Sequence, residues 1–487
     1  MRIATLDVGT GGLHAAVYGE RGRLLADRYE PIRYRSDSLG RTLEFDPEAL
    51  FASAMRLLSA AVKNAGEDRG EELILAFTSQ RHGSVFLDDS LQPLLAVANL
   101  DYRVQSDIID RLAGWGEEIH GITGRLPSQI FPAPRLLWMA EHRPELFSRI
   151  HGFLMINEWF AYRATGKAFS ELTSVTESLL FDIKERNWSG RLRELFGLTG
   201  LRAWELVEPG AIVGILREEI AGRYSLPPGT RISLSAGDTQ CAAVGSGAFT
   251  PGDTVAVNGS TTPVVRVTDK LLFDGARAAW TDLYVEGLSL IESNAGKTGM
   301  VYRGLTEELS CQDLPDPTPE SIYDAETLDI SAVLLPPPGK SIDFLGSLGE
   351  VRFRSDPVQL LRLLPYLMIE NIAFGIAAHV EEVKRIAGTP AKRVFLTGGS
   401  SRSSLTQLIT SVLLEECPLY LTGTFDTTSQ GAAMLALSRR TNRSPEGLFS
   451  EAPMDRLLPP ENVSSRMGET IRDRYQRWRE RFTKYED

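Results

Sequence analysis

Several short runs of small and polar residues each follow an apolar stretch, and each carries side chains suited to chemistry on phosphates or hydroxyls. Asp7-Val8-Gly9-Thr10 ends the first apolar run. Glycine there lets backbone N–H groups approach a phosphate, and a carboxylate beside it suits a hydrated magnesium ion; the same run also reads as a plain hairpin turn. Gly259-Ser260-Thr261 is a second turn of this design, and two facing hairpins would clamp a triphosphate from both sides. In Ser235-Ala236-Gly237-Asp238-Thr239-Gln240, Asp238 follows a fully apolar strand and opens a small-residue helix. A carboxylate at such a strand end is placed to take the proton of a substrate hydroxyl, because an alcohol is a poor nucleophile at neutral pH. An N-cap aspartate has the same appearance in sequence. Phe395-Leu396-Thr397-Gly398-Gly399-Ser400-Ser401 suits close backbone approach to a flat base or a phosphate. Thr78-Ser79-Gln80-Arg81-His82-Gly83 clusters donors and acceptors as a polyhydroxylated ligand needs, and Asn99 to Arg103, with Asp101, forms a similar run; both also read as solvated loops. No G-x-x-x-x-G-K-[ST] loop occurs, and the N-terminal glycine turn leads into a strand, so a Walker A loop and a dinucleotide fingerprint are both excluded.

Positioning these runs requires strands that end where the runs begin. Residues 2–7, 13–18 and 23–34 read as strands joined by short glycine turns, hence antiparallel hairpins. Asp46-Pro47-Glu48 starts a helix, with aspartate at the N-cap and proline at the first helical position. Residues 73–78 and 84–88 read as further strands, and 103–225 as mostly helical with loops. The pattern restarts at 254–258 and 263–267, where VNGSTTP repeats the design of LDVGTGG about 250 residues earlier. The second lobe then runs through a long helix near 356–387, a strand at 393–397 and helices near 403–415 and 428–438. Proline-rich loops occupy 311–321 and 335–341, and the charged, amphipathic tail from Ser464 reads as a helix on the outside.

The chain of 487 residues exceeds one ordinary core, so two domains are expected. A net charge of −12 argues against nucleic acid and anionic membrane as partners. Cys241, Cys311 and Cys417 show neither metal-ligand nor disulfide spacing, which suggests free thiols in a reducing cytoplasm. No basic leader followed by an apolar core starts the sequence, and no run of eighteen apolar residues occurs, so neither a signal peptide nor a spanning helix is expected.

Taken in order, these motifs resemble the FGGY carbohydrate kinase family over nearly the whole chain. DVGT resembles its first phosphate loop, NGST its second, AGDTQCAAVGSG the segment with the catalytic aspartate, and TGGSSRS the adenosine-binding loop, with SQGAAMLA the helix beside it. IFPAPRLLWMAEH is similar to the signature P-x-x-K-L-x-W, with Arg135 in the lysine position. The segments TSQRHG, ANLDYR and INEWFAYRATG look closest to the autoinducer-2 kinase branch, and QRHG is similar to the QMHG of xylulokinases.

The resemblance implies an α/β fold of two actin-like, ribonuclease H-like lobes, each with a mixed central sheet, facing each other across a cleft. It implies an N-terminal lobe over 1–248 with the sugar site and base, a C-terminal lobe over 249–455 for the nucleotide, and a helical tail over 456–487. The implied reaction is ATP-dependent phosphorylation of a hydroxyl of a small sugar, ketose or polyol, with Asp238 as general base. Asp7 and Asp238 would flank magnesium; Gly9, Thr10, Gly259, Ser260, Thr261, Gly398, Gly399 and Ser400 would bind ATP. Gln80, Arg81, His82, Asp101 and Asp238 would line the sugar pocket. The expected partners are ATP and the sugar, and a homodimer is an allowed assembly. The first loop departs from the family: serine and then lysine or arginine usually follow, where this chain has Gly11-Gly12-Leu13-His14. Ser400 replaces a third glycine and Asp426 a common glutamate. A catalytically degenerate nucleotide-binding regulator of the same fold is the alternative these departures leave.

Overall fold

A computed structural model of the chain describes residues 1–66, 71–277, 279–308, 316–335, 349–424, 426–448, 454–457 and 463–483. Cys311 and most of the two proline-rich loops lie outside them. The chain forms two compact units. The first comprises Met1–Phe249, Thr281–Ser289 and Thr427–Ala452; the second comprises Thr250–Trp280, Leu290–Asp426 and Pro453–Asp487.

In the first unit, β1 (Arg2–Val8), β2 (Gly12–Gly19) and β3 (Leu24–Pro31) form an antiparallel meander. β4 (Leu73–Ser79) lies parallel to β1 on its other side, and β9 (Arg231–Leu234) lies parallel to β4, with β8 (Ala211–Ile215) at the edge. Leu6, Phe77 and Leu234 sit side by side in this register, all buried. Because β1, β4 and β9 run the same way, the residues that follow each of them gather at one edge of the sheet. Helix α1 (Pro47–Asn64) starts as the sequence predicts: the Asp46 carboxylate accepts from the Glu48 and Ala49 N–H groups, and Pro47 occupies the first turn. It packs Leu50, Phe51, Ala54 and Leu58 into the core. The strand expected at 84–88 exists as β5 (Ser84–Leu87), but it belongs to a separate three-stranded sheet with β6 (Pro93–Val97) and β7 (Gly152–Met155). The segment 103–225 therefore carries strands as well as helices.

The second unit repeats the parallel arrangement. β10 (Asp253–Val257) pairs antiparallel with β11 (Pro263–Thr268) and parallel with β14 (Arg393–Thr397), which pairs in turn with β15 (Leu419–Thr422). β12 (Trp280–Leu283), which beyond Trp280 belongs to the first unit, and β13 (Ser289–Asn294) precede β14 in the chain. The 31-residue helix α5 (Pro357–Ala387) is the spine of this unit, capped by the Asp356 carboxylate on Val358 N–H and ended by Gly388 at φ 65°. By length and composition α5 alone among the described residues resembles a membrane span, yet most of it is buried inside the unit. Its Glu370 pairs with Arg474 at 2.5 Å and its Asn371 accepts from the Trp478 indole at 2.8 Å. Those partners lie on α8 (Ser465–Thr483), so the tail is part of the second unit's core surface.

α7 (Thr427–Thr441), within the C-terminal lobe read over 249–455, packs in the first compact unit along α3 (Asp238–Gly245) and against β1. The reason is close backbone approach. A Cβ added at Gly431 would run into the Cys241 carbonyl, and one at Gly245 into that of Thr427. Ala433, Ala436 and Leu437 of α7 then cover Ile3, Ala16, Ile74 and Ala76 on one face of the first sheet.

Candidate active site

Asp7 lies near the end of β1, Gln80 just past β4, and Asp238 four residues past β9, so the three are delivered to the same sheet edge. In a parallel sheet this edge is where ligands are received. Burial raises the Cys241 thiol, and the charges of Glu171, Asp7 and Asp238 add to the rise. The Asp238 side chain is 32% exposed. Its Oδ1 accepts from Thr239 N at 2.6 Å and from Thr239 Oγ1 at 3.2 Å, which fixes its aim, and Arg81 Nε lies 3.8 Å away. The Gly237 N–H donates to Thr173 Oγ1 at 3.2 Å, and Thr78 Oγ1 donates to the Ala236 carbonyl at 2.7 Å. Both bonds pin the turn that carries Asp238.

The first glycine turn is held from behind. Tyr34 Oη donates to the Thr10 carbonyl at 2.9 Å, Asn99 Nδ2 donates to Thr10 Oγ1 at 2.9 Å, and Gln80 Nε2 reaches the Gly9 carbonyl at 3.4 Å and Tyr34 Oη at 3.2 Å. Burial pushes the Tyr34 phenol up to about 12, so it stays a donor at neutral pH. At the departure from the family pattern, a Cβ at Gly12 would lie 2.5 Å from the exposed Tyr29 ring, whose hydroxyl donates to the Gly11 carbonyl at 3.0 Å. His14, opposite Asp7 in the β1–β2 register, pairs with Ser429 Oγ at 3.2 Å and with Asp27 at 3.5 Å.

The expected sugar residues divide. Arg81 and His82 are buried on Glu177, with Arg81 Nη1 at 3.3 Å and His82 Nε2 at 2.7 Å from its carboxylate. Asp101 is different: its Oδ1 accepts from Arg103 Nε at 2.7 Å, and its Oδ2 accepts from Leu43 N at 2.7 Å and Arg103 Nη2 at 2.8 Å. With both oxygens so engaged, Asp101 shapes the loop.

Sequence reasoning gave several groups no role. Arg135, at the signature's lysine position, is fully buried and donates to the carbonyls of His82 at 2.6 Å, Ala98 and Asn99 at 2.9 Å and Asp101 at 3.2 Å. Burial lowers it to about 10, with Asp101 offsetting part of the effect. Glu177, Arg125 and Asp282 form an ion cluster behind Arg81, described below. Their partners are 52 to 157 residues apart in sequence, and no local pattern marks them.

In the second unit, the turns after β10 and β14 meet. The Ser400 N–H donates to the Asn258 carbonyl at 3.1 Å, and Gly398, at φ 88°, has no room for a Cβ because it would fall 2.5 Å from that carbonyl oxygen. Gly259, Ser260 and Thr261 therefore share one corner with Gly398, Gly399 and Ser400. A third element enters it: Arg303 on α4 (Thr298–Glu308) donates to Ser260 Oγ at 3.1 Å, and the Met300 N–H donates to the Ser260 carbonyl at 3.1 Å. Arg303 supplies a cation that the sequence reading lacked; the glycine-rich approach Gly296-Lys297-Thr298-Gly299 was its available signal.

Among the described residues, no group of three or more His, Cys, Asp or Glu side chains is placed to hold a metal. Asp7 and Asp238, delivered to the same sheet edge, would suit magnesium, which keeps several waters and takes its other ligands from phosphates.

The chain belongs to the FGGY family of carbohydrate kinases: residues 2–245 match its N-terminal domain and residues 364–439 its C-terminal domain. It is an enzyme that phosphorylates a sugar with ATP. The putative sugar kinase YoaC of Bacillus subtilis is 29% identical over 422 residues, 84% of each chain. The autoinducer-2 kinase of Salmonella paratyphi A is 23% identical over 423 residues, covering 83% of this chain and 79% of that one. The structure of ligand-bound xylulose kinase from Lactobacillus acidophilus shares the fold, with a TM-score of 0.83 at 17% identity over 98% of this chain and 97% of that one. The resemblance read from the motifs and the two-lobed α/β fold it implied are thus borne out.

Proposed function

We propose that this kinase phosphorylates a hydroxyl of a small linear ketose or polyol, with Asp238 as the general base. The observation that carries the reading is the gathering of Asp238, Gln80, Arg81 and His82 at one sheet edge, with the Asp238 carboxylate fixed by Thr239 and left one-third exposed. Asp238 takes the proton as the hydroxyl oxygen attacks, and Gln80, Arg81 and His82 orient the chain of hydroxyls. Phosphoryl transfer of this kind depends mostly on positioning and charge neutralisation. ATP contributes the phosphoryl group; Asp7 and Asp238 would hold a magnesium ion, which would offset its charge. Thr10, Gly9, Gly259, Ser260 and Thr261 would receive phosphates, with Arg303 beside them, and Gly398, Gly399 and Ser400 the nucleoside. The likeness to autoinducer-2 kinase favours a linear ketose. The thiols of Cys241 and Cys417 are free, in keeping with a cytoplasmic setting.

The test is ADP release over a panel of pentuloses, hexuloses and polyols with ATP and magnesium. Turnover of at least one of them is expected. ATP binding without turnover of any would overturn the reading.

A further inference from the structure

Behind Arg81 and His82 lies a cluster of charges sealed from solvent. Glu177 is fully buried and takes Arg81 at 3.3 Å, Arg125 at 3.1 Å and His82 at 2.7 Å. Asp282, also fully buried, pairs with Arg125 and lies 4.0 Å from Arg81 Nη1. It arrives on Thr281–Ser289, a segment held in the first unit by Thr281 N–H on the Gly124 carbonyl and by Tyr284 Oη on that of Ala248. Burial alone would raise the Glu177 carboxyl, but Arg125, Arg81 and His82 together hold it far below the ordinary carboxylate range. Burial also lowers His82, outweighing the opposite pull of Glu177. Two carboxylates thus match two guanidinium groups.

Such a cluster is a poor device for stability, since buried ion pairs regain little more than their desolvation cost. Its effect on recognition is larger. A buried arginine with an open fork is a receptor for carboxylate or phosphate. Here Arg81 directs Nη1 to Glu177 and Asp282 and Nε towards Asp238. We infer that Glu177 and Asp282 are specificity-determining residues that occupy Arg81 and Arg125, so that the pocket accepts uncharged polyhydroxylated sugars and rejects aldonates and sugar phosphates. An anionic ligand has to break one of these pairs before Arg81 can receive it; a hydroxyl does not. This rests on reading Gln80–His82 as the sugar pocket.

The experiment compares kcat/KM for neutral ketoses and polyols with that for ribonate, gluconate and ketose phosphates, at saturating ATP. It does so in the wild-type enzyme, in Asp282→Asn and in Glu177→Gln. The wild type is expected to prefer the best neutral sugar by on the order of 100-fold, the size of one broken buried pair. Asp282→Asn or Glu177→Gln should narrow that ratio about tenfold. The ratio is the readout because a general loss of folding or positioning leaves it unmoved. Aldonates used as well as neutral sugars by the wild type, or an unchanged ratio in both variants, would overturn the inference. If the variants do not fold, competition in the wild type decides: aldonates should fail to inhibit. Turnover of neither class would overturn the sugar-pocket reading and the inference with it, a result distinct from aldonate preference.

Discussion

Arg135 donates from Nη1 to the His82 carbonyl at 2.6 Å and from Nη2 to the Asn99 carbonyl at 2.9 Å, so one buried guanidinium ties the loops after β4 and β6 together. A lysine ammonium is compact and cannot span that fork. Arg135→Lys should therefore lower stability by about 2 kcal/mol and raise the sugar KM about tenfold, with less effect on the ATP KM. Urea unfolding and steady-state kinetics check both. A change confined to the ATP KM would assign Arg135 elsewhere.

Asp238→Asn keeps the shape of the site and removes the carboxylate proposed as its base. Turnover should fall by a factor on the order of 10² to 10⁴, with sugar and ATP binding largely retained. Calorimetric binding beside kcat separates the two effects. Unchanged turnover would remove Asp238 from the mechanism.

Gly398 stands at φ 88° with its missing Cβ aimed at the Asn258 carbonyl. Gly398→Ala must push apart the two turns that share the Ser260 corner, and strain of this kind costs about 1–3 kcal/mol. Nucleotide binding should weaken about tenfold or more while sugar affinity in the absence of nucleotide stays the same. Fluorescent-nucleotide titration is the measurement, and normal ATP affinity would exclude the corner as its site.

Two buried carboxyls set a pH dependence. Burial pushes Glu158 up to about 8 against the N–H groups of Met155 and Glu171, and Glu171 up to about 7 against the donors of Thr173 and Ser174. Each folded-state value lies above the ordinary 4.5, so the folded chain holds protons that the unfolded chain has lost. Their contribution to stability is complete below about 4.5 and disappears as pH rises through 7 and then 8. His82 acts in the opposite sense, costing stability only as pH falls below its ordinary 6.5. The Tm should fall from pH 6.5 to 8.5, and Glu158→Gln should flatten that leg even though it loses an acceptor. A Tm that rises over this range would contradict the assignment.

What could be read from the sequence was local. The Asp46-Pro47 cap, the hairpins around Gly9 and Gly259, and the strand-to-turn steps into Gln80, Asp238 and Gly398 each show within about ten residues, because one strand or one turn determines them. What escaped depends on pairing across the chain. The charge on Arg81 looks free until Glu177 and Asp282 are brought to it, and Asp101 looks available until Arg103 and the Leu43 amide close on it. The helix at 427–441 was visible, but its small-residue face suits any close partner, and only the fit of Gly431 to Cys241 selects the first unit.

That helix has a consequence for how the protein is made. During synthesis the first sheet emerges early, with Ile3, Ala16, Ile74 and Ala76 exposed on one face. Its cover, Ala433, Ala436 and Leu437, leaves the ribosome some 350 residues later, an interval on the order of half a minute at about 5–20 residues per second. Until then the nascent N-terminal unit carries an open apolar surface and is a natural client for a chaperone; it is begun first yet completed only after most of the second unit has been made, which α8 then closes.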